Sequence, residues 1–171
     1  TSDLVVTNYS YWPMINTYGE GLGDFDLLVL DEAAEAPQAV CSVMSTTFTS
    51  RDVYQFLGRD WPETPASAGL ETWRQWAQAM LRVAQSRQEE AKRHIAERGA
   101  DRRTIWLART WADLARRLGT IATARGEWAS DAVKGDEEHG GSGYVLEPLW
   151  ADEYAEQMLF NGIEHVVLVS A

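Results

Sequence analysis

The residue pair with the clearest chemical potential is Asp31–Glu32, which follows four apolar residues in the stretch LLVLDEAAEAP. A buried parallel strand that ends in an acid presents its carboxylate at the carboxyl edge of the sheet, where α/β proteins bind ligands. There one carboxylate can organise Mg²⁺ on nucleotide phosphates, and an adjacent one can deprotonate a water molecule, as in a Walker B motif. The alternative is that both acids only complement unpaired backbone donors where the next helix begins.

Other side chains of chemical interest lack partners at useful spacing. His94, His139 and His165 are scattered, with no carboxylate or cysteine at ligand spacing, so we expect no metal site made of them. Cys41 is the single cysteine, which excludes an internal disulfide and an iron–sulfur cluster held by this chain. The sequence contains no GxxxxGK[ST] loop, so it lacks the backbone cradle and the lysine that usually hold nucleotide phosphates.

The elements that must position Asp31 lie at the two ends of the chain. Continuous apolar runs predict strands covered on both faces, as in a parallel sheet, at DLVVTNY (3–9), FDLLVLDE (25–32) and HVVLVSA (165–171). YVLEPLW (144–150) is also strand-like. Short helices are predicted within AAEAPQAVCSVM and within ADEYAEQMLFNG, the second ending at Gly162.

The centre of the chain has a helical pattern instead. Ser50 is the expected cap of a short helix over RDVYQFL that Gly58 ends. Apolar residues recur at three- and four-residue spacing over 70–84 and again over 107–121, which predicts two long helices joined by RGADRR as an antiparallel hairpin. Four tryptophans fall on or near these apolar stripes and are expected in the hairpin core, namely Trp73, Trp76, Trp106 and Trp111.

This order predicts the α/β fold class, with a partial parallel sheet interrupted by a largely α-helical insertion. We assign residues 1–48 and 144–171 to the α/β part and 49–143 to the insertion, with a solvated, mobile loop at 134–143. The chain starts without methionine, directly in a strand-like segment, so we expect a piece of a longer protein. It has neither an apolar stretch of membrane-spanning length nor the basic start of a signal peptide, which favours a cytoplasmic location and no membrane partner.

The net charge of -11 argues against nucleic acid as a partner until its distribution is considered. All 15 lysines and arginines lie between Arg51 and Lys134. From Arg82 to Arg125 there are 11 basic and five acidic residues, a local surplus of six positive charges. An acidic frame therefore surrounds a centre that can contact phosphates.

Three segments, in this order, resemble superfamily 2 DEAD/DEAH-type helicases, and in particular the XPD/DinG-like DNA helicases: DLVVTNYSYW, LLVLDEAAEAP and LFNGIEHVVLVSA. In that family a VVxNY strand precedes the DEAH box of motif II, a helical arch is inserted, and the chain returns to the SAT sequence of motif III. The resemblance covers 3–44 and 144–171 by motif, and the centre by position and helical character. It implies a partial RecA-like sheet of the P-loop NTPase type and a parent enzyme that couples ATP hydrolysis to movement on single-stranded DNA.

The resemblance also implies roles for single residues. Asp31 would hold Mg²⁺ with ATP, and Glu32 would be the catalytic base. Ser170 and Ala171, the first residues of motif III, would couple the nucleotide site to the nucleic acid. Ala34 departs from the family, because it stands where the DEAH box has a histidine and an alanine side chain cannot form a hydrogen bond.

The partners implied are single-stranded DNA or another nucleic acid, and the remainder of the helicase chain. Asn8 and Tyr9 would lie near the DNA-binding face, the alternative for them being a turn with a packed tyrosine. The cations of the insertion that would contact phosphates are Arg82, Lys92, Arg93, Arg102, Arg103, Arg116 and Arg117.

Because the phosphate-binding loop is missing, we expect the isolated chain to be inactive. Two alternatives remain open. The chain can be a degenerate ATPase or helical module that acts only through protein or nucleic-acid interaction, or a plain helical domain in which LLVLDE is a coincidence. The second fails if strands over 27–30 and 166–169 lie side by side in one parallel sheet.

Overall fold

The computed structural model describes residues 4–19, 22–136 and 140–170. The chain divides into two compact units, the first formed by Thr1–Ser45 with Glu147–Ala171 and the second by Thr46–Leu146. The fold is mixed α/β, as predicted, with a short parallel sheet in the first unit and a helical hairpin in the second. Whether these units are a motor segment and an arch stays a prediction.

The helices and strands of the described residues are short except for the hairpin. In chain order they are α1 (Trp12–Tyr18), β1 (Leu27–Leu30), α2 (Ala36–Met44), β2 (Thr46–Thr49), α3 (Leu70–Arg98), α4 (Arg102–Ala122), β3 (Trp128–Val133), β4 (Gly143–Pro148), α5 (Asp152–Ala155) and β5 (His165–Leu168). Single 3₁₀ turns cover Ala33–Glu35 and Pro65–Ser67, and π-helices cover Arg51–Leu57 and Glu156–Phe160. No helix within the described ranges combines the length and the apolar character needed to cross a membrane.

The parallel sheet of the first unit joins β1 to β5. Leu27 lies opposite His165, and Leu30 lies opposite Leu168. This pairing excludes the plain helical domain, in which the apolar run before Asp31 would be a coincidence. The helix within AAEAPQAVCSVM is confirmed as α2, and Pro37 occupies its first turn, where the missing N–H costs no hydrogen bond.

The predicted strand over 3–9 is wrong for the residues that the structure describes. Residues 4–8 have no regular secondary structure, and Leu4 and Val6 are 75% and 87% exposed. A strand forms only where a neighbouring edge offers hydrogen bonds, and the described part of this sheet contains β1 and β5 alone. The chain turns into α1 instead, where the buried indole of Trp12 donates to the carbonyl of Leu159 at 2.8 Å.

The second unit is built on the predicted hairpin. Helices α3 and α4 pack along each other in opposite directions, so that the Gln78 amide near the start of α3 donates to the carbonyl of Ala122, the last residue of α4, at 3.4 Å. The Asp101 carboxylate caps α4 by accepting from the Thr104 backbone N–H at 2.7 Å. The apolar stripes meet in a core whose fully buried members include Trp73, Leu114, Leu118 and Ile121.

One tryptophan departs from the predicted core. Trp73, Trp76 and Trp111 are buried as expected, but Trp106 is 54% exposed. The reason lies in helix geometry, because Trp106 stands about 100° round the helix from Leu107, which does lie on the stripe. Proximity to an apolar stripe in sequence is therefore not the same as a place on it.

A three-stranded sheet in the order β2–β4–β3 covers the hairpin core. Strand β2 pairs with β4 in antiparallel register, with Thr46 opposite Leu146 and Thr49 opposite Gly143. The strand predicted in YVLEPLW is thus present as β4, but it pairs with β2 and not with the parallel sheet. The predicted loop over 134–143 covers the connection between β3 and β4 together with Gly143, the first residue of β4, and its residues 137–139 are outside the described ranges.

Two helix ends differ in detail from the prediction. The helix over RDVYQFL is of the π type, and Ser50 does not cap it, because the Ser50 hydroxyl donates to the carbonyl of Ser142 at 2.6 Å. Gly58 ends this helix with φ +61°, which glycine adopts without a Cβ clash. The helix predicted to stop at Gly162 ends at Phe160, followed by Asn161 in the left-handed region.

Candidate functional site

The backbone around Glu32 forms a bulge at the carboxyl end of the parallel sheet. The N–H of Val169 donates to the carbonyl of Leu30 at 2.9 Å, and the carbonyl of Val169 accepts from the N–H of Ala33 at 2.8 Å. Val169, the residue directly after β5, therefore spans one extra residue on the other segment, and Glu32 takes φ 50° and ψ 47°. Such a left-handed conformation costs a non-glycine residue about 1–2 kcal/mol.

The two acids are both exposed, and their groups are used differently. Asp31 Oδ1 accepts the backbone N–H of Glu32 at 3.0 Å, which satisfies the donor that the bulge removes from the strand pairing. Ser170 follows Val169 directly and is exposed, so the pairing brings Asp31, Glu32 and Ser170 to the same edge of the sheet. Ala171 lies outside the described residues.

Tyr9 ties the N-terminal segment to this edge. Its hydroxyl donates to the backbone carbonyl of Asp31 at 2.6 Å. Burial first, and then the negative charges of Asp31, Glu35 and Glu32, raise the pKa of the Tyr9 phenol above its usual value near 10. The phenol therefore stays protonated and remains a donor at neutral and moderately alkaline pH.

Asn8 forms the turn that the sequence offered as its alternative role. Its side-chain oxygen accepts the backbone N–H of Tyr11 at 2.8 Å, and its carbonyl accepts from Trp12 at 2.9 Å, so Asn8 starts the turn into α1. The preference of asparagine for such turns indicates this role of Asn8 in the sequence. A position of Asn8 and Tyr9 near DNA stays a prediction.

Ala34 lies in the 3₁₀ turn directly after the bulge, and it is exposed. Its small side chain is therefore not required by core packing, since a larger one would extend into solvent. The departure from the DEAH pattern therefore concerns the hydrogen bonds that the side chain at this position can form.

The residues of the bulge fit a nucleotide-bound Mg²⁺ better than a metal enclosed by protein. Within residues 4–19, 22–136 and 140–170, no three His, Cys, Asp or Glu side chains group closely enough to enclose a metal ion. Mg²⁺ on a nucleotide is held mainly by phosphates and waters, with one or two protein carboxylates. The exposed Asp31 carboxylate keeps an oxygen that does not accept from Glu32, which suits that arrangement.

A groove of about 480 Å³ lies on the neighbouring surface of the first unit. Tyr9, whose hydroxyl donates to the Asp31 carbonyl, lines this groove, but Asp31 and Glu32 do not. The groove is therefore a separate feature from the carboxylate pair. Its lining residues are Tyr9, Ser10, Glu35, Gln38, Ala39, Ser42 and Val43.

The cations predicted to contact phosphates fall into two groups. Exposed members without an ion pair to any described residue are Arg82, Arg93, Arg102 and Arg103, whereas Lys92 pairs with Glu89 at 2.7 Å and Arg116 with Asp113 at 2.8 Å. Arg117 differs from both, because only 17% of its side chain is exposed and it forms a bidentate pair with Asp52. We therefore leave Arg117 out of the proposed nucleic-acid surface.

The pair of Arg117 and Asp52 is a feature that sequence reasoning missed. Arg117 also donates to the Thr47 carbonyl at 2.6 Å, and its guanidinium lies 5.6 Å from the centre of the Phe48 ring. The available signal was its position three residues after Leu114, beside the stripe that faces the core. Its partner on another helix gave no signal in the sequence.

No protein-family model matches this chain, and no curated protein matches its sequence. The arrangement at the bulge offers two exposed carboxylates, a serine hydroxyl and a tyrosine-anchored backbone at the carboxyl edge of a parallel sheet. Such an edge can hold a hydrated cation with its anionic ligand and accept a proton from water.

Proposed function

We propose that this chain is the motif II to motif III part of the first RecA-like motor domain of an XPD/DinG-like helicase, with an arch-like helical insertion. The parent enzyme would couple ATP hydrolysis to movement on single-stranded DNA. The parallel register of β1 and β5 gives the strongest support, because it brings the acids of one predicted motif and the serine of the other to the same edge. An acid pair that merely caps a helix would require no such second motif.

The residues of the bulge would divide the chemistry between them. Asp31 would hold Mg²⁺, which supplies charge neutralisation at the nucleotide phosphates. One oxygen of Asp31 accepts from the backbone N–H of Glu32, so the two carboxylates already differ in their hydrogen bonds. Glu32 would orient a water molecule and accept its proton.

The motif III strand has a physical route to the same residues. Val169 bonds to the backbone on both sides of the acids, and Ser170 follows it. A change at the nucleotide would therefore reach Ser170 through two hydrogen bonds of one residue. This would be the coupling between hydrolysis and the nucleic-acid path.

The test is steady-state ATP hydrolysis by the full-length protein that contains this chain, with and without single-stranded DNA. Glu32→Gln should lower kcat by about 10²–10⁴-fold, the usual range for loss of a general base, with intact folding. Glu35→Gln is the matched control, since Glu35 is an exposed glutamate in the same turn, and it should leave kcat unchanged. Wild-type turnover in Glu32→Gln would contradict the proposal, and turnover by the isolated 171 residues would contradict a divided site.

Ala34 supports a second candidate, a degenerate ATPase that serves only in protein or nucleic-acid interaction. Ala34 lacks the histidine side chain that the family uses to couple ATP hydrolysis to the motif III region. Under this candidate the full-length protein shows no ATP hydrolysis stimulated by DNA, and Glu32→Gln changes nothing measurable. The same assay therefore separates the two candidates.

A further inference from the structure

An exposed tryptophan occupies the surface of the helical insertion. Trp106 is 54% exposed, although such a large apolar side chain is normally well covered. Its ring lies 6.0 Å from that of Phe56, and Phe56 packs edge-on against the buried Trp111 at 5.6 Å. One part of the Trp106 ring is thus held against the core while the rest faces solvent.

The neighbours of Trp106 on α4 are cations. Arg102, Arg103 and Arg109 stand four and three residues before it and three residues after it, the spacings at which helical side chains are neighbours. All three are exposed, and none forms an ion pair with any residue of the described ranges. By contrast, Arg87 elsewhere on the hairpin pairs with Glu90 at 2.9 Å.

This combination runs against two local preferences. Arg102 and Arg103 occupy the first turn of α4, where the helix dipole favours acids and disfavours cations. The indole of Trp106 is exposed, whereas the side chain of the next residue, Leu107, about 100° further round the helix, packs against the core. Places where a sequence breaks local rules without a packing gain are expected to be functional.

We infer that Trp106, with Arg102, Arg103 and Arg109, binds single-stranded nucleic acid, a base stacking on the exposed indole face and phosphates contacting the guanidinium groups. Aromatic rings beside cations are the usual composition of such sites, and a duplex hides the base faces that they need. Arg102 and Arg109 are about 10 Å apart along the helix, the length of about three nucleotides of strand. The Phe56 ring is the aromatic neighbour of this indole, with an interplanar angle of 50° between the two rings.

The inference deepens the proposed function and rests on it in one respect. The single strand bound at Trp106 would be the strand along which the proposed motor moves. Its test needs no ATP hydrolysis. The measurement is fluorescence anisotropy of a short labelled oligothymidylate titrated with the complete chain, over a range of salt concentrations. Failure of ATP hydrolysis in the full-length protein would remove the proposed function and leave this binding result standing.

Replacing the ring should weaken binding in a way that restoring an aromatic ring repairs. Trp106→Ala should lower the affinity about tenfold, since one stacked base is lost, and Trp106→Phe should keep most of it. The matched control is Trp150→Ala, because Trp150 is 64% exposed but lies next to acids in the first unit, and it should bind as the wild type does. Circular dichroism of each variant checks that the fold is intact.

The arginines should be separable from the ring by salt dependence. The double variant Arg102→Gln and Arg103→Gln should reduce the slope of log K against log salt by about 1.4, two phosphate contacts on a single strand. Trp106→Ala should leave that slope unchanged. Arg87→Gln, which removes a paired cation, is the matched control and should change neither affinity nor slope.

Four outcomes would overturn the inference. The first is binding of Trp106→Ala with wild-type affinity, and the second is binding of an abasic oligomer of equal charge as tightly as oligothymidylate. Equal competition by polyglutamate and by oligothymidylate would indicate an acidic protein partner instead of a nucleic acid. Equal affinity of Trp106→Ala and Trp150→Ala would show that the exposed ring has no part in binding.

Discussion

Breaking the ion pair between Asp52 and Arg117 should cost far more free energy of unfolding than breaking the exposed ion pairs of the hairpin. Its nitrogen–oxygen distances are 2.9 and 3.2 Å, and only 11% of the Asp52 side chain and 17% of the Arg117 side chain are exposed. Asp52 also accepts from the backbone N–H of Thr49 at 2.9 Å. Asp52→Asn keeps the shape of the side chain and removes its charge.

The magnitude follows from what the substitution leaves behind. Removing one partner of a buried ion pair costs about 3–5 kcal/mol, because the other charge stays buried. Arg117 keeps the carboxylate of Asp113 at 2.8 Å, so we expect the lower end, about 3 kcal/mol. Asp113→Asn is the matched control on the same arginine, and with half of the Asp113 side chain exposed it should cost less than about 1 kcal/mol.

Urea unfolding followed by circular dichroism at pH 7 measures both free energies of unfolding. Burial disfavours the charged form of Asp52, but the hydrogen bonds and charge of Arg117, with help from Thr49, outweigh it and lower the pKa of Asp52. Since the folded pKa lies below the unfolded value near 3.9, the stabilisation is complete above about pH 4 and is lost as the pH falls through the folded pKa. The wild type and Asp52→Asn should therefore converge in strong acid.

Two results would refute this reasoning. One is an equal loss of free energy of unfolding for Asp52→Asn and Asp113→Asn at pH 7, since it would mean that burial adds nothing. The other is a difference between the wild type and Asp52→Asn that does not decrease as the pH is lowered from 7 into strong acid, where protonation removes the charge of Asp52.

Two further outcomes can be checked in the first unit. Ala34→His should change the free energy of unfolding by less than about 0.5 kcal/mol, because Ala34 is exposed, and in the full-length protein it should increase the stimulation of ATP hydrolysis by DNA; an unchanged ratio would contradict a coupling role for this position. Burial, and then the charges of Glu147 and Asp152, raise the pKa of the Cys41 thiol, so alkylation by iodoacetamide at pH 8 should be slower than that of a cysteine peptide. Equal rates, measured by mass spectrometry, would contradict that shift.

The parts of the fold that depend on local pattern could be predicted from the sequence. Leu114, Leu118 and Ile121 mark a core-facing stripe by their spacing alone, and the hairpin follows from two such stripes joined by a short polar turn. The runs that became β1 and β5 were likewise visible, because strands covered on both faces need unbroken apolarity.

The parts that depend on distant partners could not be predicted. Leu4 and Val6 have the composition of a strand, but no local pattern tells whether a neighbouring edge is present. The residues Arg51–Leu57 are too few for apolar spacing to distinguish a π-helix from an α-helix.

Part of the candidate site could likewise be predicted from local pattern, and part could not. The sequence predicted Asp31 and Glu32 at the end of one strand and Ser170 at the end of another, and the parallel pairing of β1 and β5 brings these two strand ends to the same edge. It did not indicate the left-handed backbone of Glu32, which results from hydrogen bonds to Val169 far along the chain. Nor did it indicate that Arg117 is buried, because Asp52 lies 65 positions away.

The register of β2 and β4 has a consequence for how such a chain can be assembled. Thr46 and Leu146 are the first and last residues of the second unit, and they are direct partners in an antiparallel pair. The Cα atoms of such partners are about 4.5–5.5 Å apart. The whole second unit is therefore joined to the rest of the chain at two neighbouring points, a gap that a tight turn can span. A module with this geometry can be removed, lengthened or exchanged without moving the ends of the chain that carries it.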